Sequence, residues 1–305
     1  MNKASEKRNC GMNRRHFLAT AVSAGAAALA APMASCAPKR LKGSRMRLGL
    51  VTYQWGRDWD LPTLIANCEK TGLLGVELRV DHKHGVSPAL SAAQRAEVKR
   101  RFADSPVTCV GLGTNHHFDS PDPDALKAEI ERTKAWLRLS RDIGASGVKV
   151  KPNNFHKGVP HEKTIEQIGR SLRELARYGA ELGQQLRLEV HGTCCHLPVI
   201  RAIMEVADHP NARVCWNSNP QDLEDEGLEY NFWLVRDCLG DTAHVREFNV
   251  ESYPYDRLME LFVNADYSGW ILLEARTNPP DRVRAMIEQR RLWKELVQRA
   301  QAALG

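Results

Sequence analysis

The chain has 305 residues, 43% of them hydrophobic and 26% charged, which suits a soluble globular protein of one large α/β domain or two small ones. Its formal charge of +6 is concentrated at the start, where Lys3, Lys7, Arg8, Arg14 and Arg15 face only Glu6. The remainder carries 38 basic and 36 acidic residues, or +2, which gives no electrostatic case for a nucleic-acid partner.

Residues 1–36 read as an export address. Asn13-Arg14-Arg15-His16-Phe17-Leu18 sets paired arginines before the Ala-rich run 19–34, a run too short and too Ala-rich for a stable span. The pattern resembles a twin-arginine signal. Met33-Ala34-Ser35-Cys36 resembles a lipobox, with Cys36 as the lipidated residue and the only expected membrane contact. The expectation is therefore a periplasmic or membrane-anchored lipoprotein. Residues 37–45 read as a linker, and the folded domain as 46–305.

From Met46 onward, short apolar β-rich runs alternate with longer amphipathic ones. Strands are expected at 47–53, 75–80, 107–112, 147–151, 186–190, 212–216, 242–248 and 270–274. Helices are expected at 60–72, 91–104, 123–143, 161–183, 197–208, 228–238, 255–264 and about 279–303. Strands separated by crossover helices specify a parallel sheet. Eight such units at this length predict a closed (β/α)8 barrel. A doubly wound open sheet would show a Gly-rich phosphate turn after its first strand. Here that strand ends Thr52-Tyr53-Gln54-Trp55. Cys68, Cys109, Cys215 and Cys238 fall in apolar patterns and read as buried small hydrophobes, while Cys194-Cys195 follow a site-bearing strand.

Catalytic groups of a barrel gather at the C-terminal ends of its strands. The polar residues there are Glu77 on strand two, His116 and His117 after strand three, Lys149 and Lys151 on strand four, and His156 beyond it. Strand five ends Glu189-Val190-His191 and strand six Trp216-Asn217-Ser218-Asn219. Strand seven carries His244-Val245-Arg246-Glu247, and strand eight ends Glu274-Ala275-Arg276. Charges at buried strand ends are costly unless paired or bound to a metal. Lys149 and Lys151 share parity, as do Glu189 and His191, and His244 and Arg246, so each pair points the same way.

These residues resemble the xylose isomerase-like sugar isomerase/epimerase barrels, over about 46–300 and most specifically over 186–274. The resemblance implies one divalent cation (Mn, Mg, Zn or Co) held by Glu189, Asn217, His244 and Glu274. It implies proton transfer next to a carbonyl through an enediolate, with Glu189 and Glu274 as the acid–base pair. The substrate implied is a small sugar or keto-sugar. Glu77, His116, Lys149, Lys151, His156, His191, Trp216, Arg246 and Glu247 are the expected substrate-binding residues, with Tyr53 as a second face for a sugar ring. Asn217 departs from the family pattern, which has Asp there. An amide ligates through its oxygen without charge, so affinity for a hard cation should fall. A keto-sugar lyase or dehydratase on the same barrel, a non-catalytic exported sugar-binding barrel, and an endonuclease IV-like phosphodiesterase are the competing readings. The last needs more metal ligands and a basic face.

Overall fold

In the computed structural model the described residues are 40–304; the twin-arginine and lipobox readings, including Cys36, lie outside them. Among the described residues, eight strands alternate with eight α-helices. They are β1 (Arg47–Val51), α1 (Leu61–Thr71), β2 (Gly75–Arg79), α2 (Ala92–Ala103), β3 (Thr108–His117), α3 (Pro123–Asp142), β4 (Gly147–Lys151) and α4 (His161–Glu181). Then follow β5 (Gln185–Glu189), α5 (Leu197–Ala207), β6 (Ala212–Cys215), α6 (Gly227–Val235), β7 (Thr242–Val245), α7 (Tyr255–Asn264), β8 (Trp270–Leu273) and α8 (Arg282–Ala302).

Every ladder is parallel, in the order β6-β5-β4-β3-β2-β1-β8-β7. The last seam is held by single bridges, Val214 to Leu239 and Asn217 to His244. His244 N donates to Trp216 O at 2.7 Å and Ser218 N to His244 O at 3.2 Å, so the sheet closes into a barrel. The expected (β/α)8 architecture is the one observed.

Alternation along each strand divides the molecule. Leu48, Leu50, Val76, Leu78, Leu112, Val148, Val150, Leu186, Leu188, Val214, Ala243, Val245, Ile271 and Leu273 are all buried against the helix ring. Each such aliphatic contributes about 1.5–3 kcal/mol. The opposite parity faces the barrel axis, and there large and small residues interlock. A Cβ on Gly75 would meet the Trp270 ring at 2.4 Å, and one on Gly113 would meet Glu77 Oε1 at 2.5 Å. Glycine on β2 and β3 is what admits an indole and a glutamate to the interior.

Four boundaries differ from the sequence reading by three residues or more; one is the end of α6, at Val235, where the chain tightens into a 3-10 turn over Arg236–Cys238. β3 runs five residues past its expected end, because Thr114 Oγ1 donates to Lys149 O at 2.7 Å and the ladder resumes at His117 opposite Lys151. β7 stops at Val245, because Arg246 N goes to the Tyr255 hydroxyl (2.8 Å) and Phe248 N to Gln289 Oε1 (2.6 Å). α8 starts at Arg282, capped by Asp281, whose carboxylate accepts from Arg284 N at 2.9 Å. Residues 40–45, expected within a linker, form a turn tied to the loop after α7. Arg40 pairs with Asp266, and Gly43 N donates to the same carboxylate at 2.8 Å. No described helix is long and apolar enough to cross a membrane.

Candidate active site at the barrel mouth

The inward parity of the strand ends builds two tiers. The lower tier is Glu77, Lys149, Glu189, Asn217, His244 and Glu274, all buried. Lys149 Nζ donates to Glu189 Oε2 at 2.5 Å with both side chains shut away from solvent. Asn217 Nδ2 donates to Glu189 Oε1 at 3.1 Å. His244 lies between carboxylates. Its Nε2 is 3.3 Å from Glu77 Oε1, and its Nδ1 is 3.8 Å from Glu189 Oε1 and 4.0 Å from Glu274 Oε1. Ligand atoms of Glu189, His244 and Glu274 all lie within 4.8 Å of one another.

Burial opposes the charge on Glu189, but the Lys149 ammonium and the His244 imidazole hold its carboxyl well below the usual range. Glu77 is lowered as well: burial opposes its charge, and His244 and Lys149 together outweigh burial. Burial likewise works against a charged His244. The Cys215 sulfur and the Glu77 carboxylate facing it nevertheless raise its pKa well above the ordinary imidazole value.

Several buried polar atoms of this tier have no hydrogen-bond partner: both oxygens of Glu77, both nitrogens of His244, and Asn217 Oδ1. Buried polar groups without partners are uncommon in folded proteins. Here they sit together with a His–carboxylate cluster. The donor set is chemically suited to a divalent ion: two carboxylates, an imidazole and an amide oxygen. Glu77, facing Nε2, supplies the carboxylate that commonly orients a ligating imidazole.

The upper tier lies two residues further along each strand: Arg79, Lys151, His191, Asn219, Arg246 and Arg276. Arg79 Nη1 is 3.7 Å from Glu274 Oε1, and its Nη2 donates to Asn115 Oδ1 at 3.1 Å. Lys151 Nζ is 3.4 Å from His191 Nε2. Burial, then repulsion from Lys149, lowers Lys151 to about 8. Burial also brings His191 down to about 4. Asn219 Nδ2 donates to Val190 O at 2.7 Å, fixing the loop after β6 against the end of β5.

Some expected site residues are placed elsewhere. His116 turns outward to α3, with Nδ1 2.8 Å from Thr133 Oγ1 and its ring edge-on to Trp136. The irregularity of β3 between Gly113 and His117 gives the mouth-side position to His117. Trp216 offers no face to a sugar: it is fully buried on the helix side, 5.7 Å from the Phe232 ring, because its neighbour Asn217 points inward. Glu247 is not free to bind a ligand. Its carboxylate accepts from Arg276 N (3.1 Å), Thr277 N (2.8 Å) and Thr277 Oγ1 (2.6 Å), and so holds the loop after β8. His156 sits at the rim, with Nε2 2.9 Å from Asp119 Oδ2. Tyr53 lies under the Arg79 guanidinium at 5.4 Å.

Two residues of the mouth carried no role in the sequence reading. Arg79 follows Glu77 by two, so strand parity alone could have found it. Asp119 is a buried carboxylate that receives both His117 Nδ1 (2.5 Å) and His156 Nε2 (2.9 Å). It sits in a loop, and no periodicity signals it. The described cysteines are free thiols; Cys194 and Cys195 are buried, and Cys238 is only half-buried.

A model of the xylose isomerase-like TIM barrel family matches residues 65–219. No curated protein matches the chain. Among solved structures, an L-ribulose 3-epimerase superposes with a TM-score of 0.71 at 14% identity, covering 85% of this chain and 97% of that one. The apo 3-keto-D-glucoside 4-epimerase YcjR from E. coli gives 0.70 at 15% identity, covering 82% and 99%. The IolI protein with a bound zinc atom gives 0.68 at 14% identity, covering 84% and 99%. Identities this low establish a shared fold.

Proposed function

Because the chain belongs to the xylose isomerase-like TIM barrel family, we propose that it is a divalent-metal-dependent isomerase or epimerase acting on a sugar or keto-sugar. The observation that carries this reading is the buried Glu189–His244–Glu274 cluster, with His244 Nδ1 and Asn217 Oδ1 left unpaired beside it. Glu189, Asn217, His244 and Glu274 are the residues that would hold the cation. When bound, the cation supplies a Lewis acid that polarises a carbonyl and stabilises the enediolate. The sugar epimerases among the structural neighbours lend support to the substrate class.

The chain's own residues divide the remaining work. Glu189 and Glu274 both face His244 Nδ1, one to take a proton from the carbon next to the carbonyl and the other to return one. Lys149 keeps Glu189 ionised and fixes its orientation through the 2.5 Å contact. Glu77, facing Nε2, sets the imidazole plane of His244 so that Nδ1 faces Glu189 and Glu274. Arg79, from the tier above, lies against Glu274 and orients it. The same proposal places the protein outside the cytoplasm, on the strength of the paired arginines and apolar run within residues 1–36.

The test is metal content by mass spectrometry of the purified chain, beside Glu189→Gln and His244→Ala, followed by solvent hydrogen exchange into keto-sugars. About one Mn, Mg, Zn or Co per chain, reduced in both variants, with exchange at one sugar carbon, is the expected result. A wild-type chain that takes up no metal from any divalent salt and exchanges no hydrogen overturns the reading, and a binding barrel then replaces it.

A further inference from the structure

The two tiers differ in charge in a way the proposed reaction does not require. The lower tier holds three carboxylates, Glu77, Glu189 and Glu274, against Lys149. A bound divalent cation would bring that tier to neutrality. The upper tier brings Arg79, Lys151, Arg246 and Arg276 to the same opening. Two carboxylates near them are already taken up: Glu247 by Arg276 N, Thr277 N and Thr277 Oγ1, and Asp119 by His117 and His156.

These cations are poorly compensated. Among the described residues, no carboxylate oxygen lies within 4.0 Å of Lys151, Arg246 or Arg276. Arg79 is 9% exposed and touches a carboxylate only at 3.7 Å, and its Nε is buried with no partner. Arg246 Nε is also buried and unpartnered. Lys151 has a histidine nitrogen, not an anion, as its nearest partner. Arg79 is buried, Lys151 and Arg246 are half-buried and Arg276 is exposed. Holding the first three close together with Glu274 as their one nearby anion is costly, and a ligand that brings a negative charge lowers the cost.

The neighbourhood also selects the kind of anion. In this fold a phosphate group is commonly held by backbone amides of the loops after strands seven and eight. Here the amides of Arg276 and Thr277 already bind the Glu247 carboxylate, so that cradle is filled from within. What remains open is a set of side-chain cations over the lower tier. A planar carboxylate suits an Arg–Lys pair of this kind.

We propose that the substrate is a sugar acid, whose carboxylate is held by Arg79, Lys151 and Arg246 above the reacting carbon. The sugar part of this inference rests on the proposed isomerase function; the anion subsite does not. Lys151 and Arg246 are therefore specificity-determining residues, separate from the acid–base pair below them.

The test is calorimetric binding to the purified chain of D-glucuronate, D-galacturonate and D-gluconate, each against its uncharged counterpart (D-glucose, D-galactose and D-glucitol). D-glucose 6-phosphate serves as the phosphate probe, and metal content is measured on the same samples. At least one carboxylate should bind about tenfold or more tighter than its neutral counterpart. Lys151→Gln and Arg246→Gln should each remove most of that preference while leaving metal content and the melting temperature near wild type. The inference is overturned if no carboxylate outbinds its counterpart, or if the preference survives both substitutions. It is overturned in favour of a phosphate ester if glucose 6-phosphate binds more tightly than every carboxylate and loses affinity in the same variants. Carboxylate preference without metal or hydrogen exchange would refute the isomerase reading and leave the subsite standing.

Discussion

Replacing Lys149 by methionine tests whether the lower tier is held by charge. Lys149 is fully buried and its ammonium is bonded to Glu189 Oε2 at 2.5 Å. Methionine keeps the length and most of the volume but removes the charge, so Glu189 is left with Asn217 as its remaining hydrogen-bond donor. Removing one partner of a buried ion pair typically costs about 3–5 kcal/mol, because the other charge stays buried and uncompensated. At roughly 2 °C per kcal/mol for a domain of this size, the melting temperature should fall by about 6–10 °C. The loss should depend on pH. In the wild type the Glu189 pKa is depressed, so its contribution is present above the unfolded carboxylate value of about 4.5 and is lost as pH falls through the folded value. In the variant, burial acts on Glu189 without the ammonium, and protonation relieves the strain. The gap between wild type and Lys149→Met should therefore be widest near neutral pH and narrow below about 4.5. The double variant Lys149→Met/Glu189→Gln should recover most of the loss, since no lone charge remains. The assay is guanidinium unfolding of all three proteins, with chelator present, from pH 4 to 8. A single-variant cost under about 1 kcal/mol at pH 7, or no recovery in the double variant, refutes the reasoning.

Two further outcomes follow from the structure and a third from the sequence. Asp222 is fully buried and pushed up to about 7 by burial, while its Oδ2 accepts from Tyr253 OH (2.7 Å) and Asn219 N (2.9 Å). A raised acid pKa contributes stability below the unfolded value and loses it as pH rises through the folded one, so Asp222→Asn should flatten the decline in melting temperature between about pH 4 and 7, worth up to roughly 4 kcal/mol. Gly113→Ala puts a methyl 2.5 Å from Glu77 Oε1 and 2.9 Å from Arg79 Cδ; it should cost about 1–3 kcal/mol in unfolding titrations and lower metal uptake through the displaced Glu77–His244 contact. On the proposed export reading, a chain carrying Arg14→Lys/Arg15→Lys should stay in the cytoplasmic fraction; on the lipobox expectation, Cys36→Ala should shift the protein from the membrane to the soluble fraction on cell fractionation.

The barrel was legible because its strands are bounded by long amphipathic helices, so the alternation of apolar runs fixes most element ends to within two residues. The two strand exceptions share one cause. At β3 and β7, side chains of Thr114, Tyr255 and Gln289 take hydrogen bonds that a ladder would otherwise hold, and such long-range substitutions leave no local pattern. The site divides in the same way. Glu189 with His191, Lys149 with Lys151, and His244 with Arg246 follow from a period of two, and Glu77 with Arg79 obeys the same rule. That rule also excludes Trp216: if Asn217 faces the axis, the preceding side chain must face the helices, which is where Phe232 meets it. It fails only at His116 and His117. There the β3 irregularity resets the parity, and the residue next to Lys151 in register becomes His117. Asp119 lies beyond the reach of any period, since a loop carboxylate acquires meaning only from the two histidines that meet it, His117 at the end of β3 and His156 in the loop after β4. Strand parity thus fixed which side chains share the mouth. Which of them are already satisfied by neighbours, as Glu247 is, and which are left open, as Lys151 and Arg246 are, depends on loop closure. That distinction separates the residues that hold the barrel mouth together from those available to a substrate.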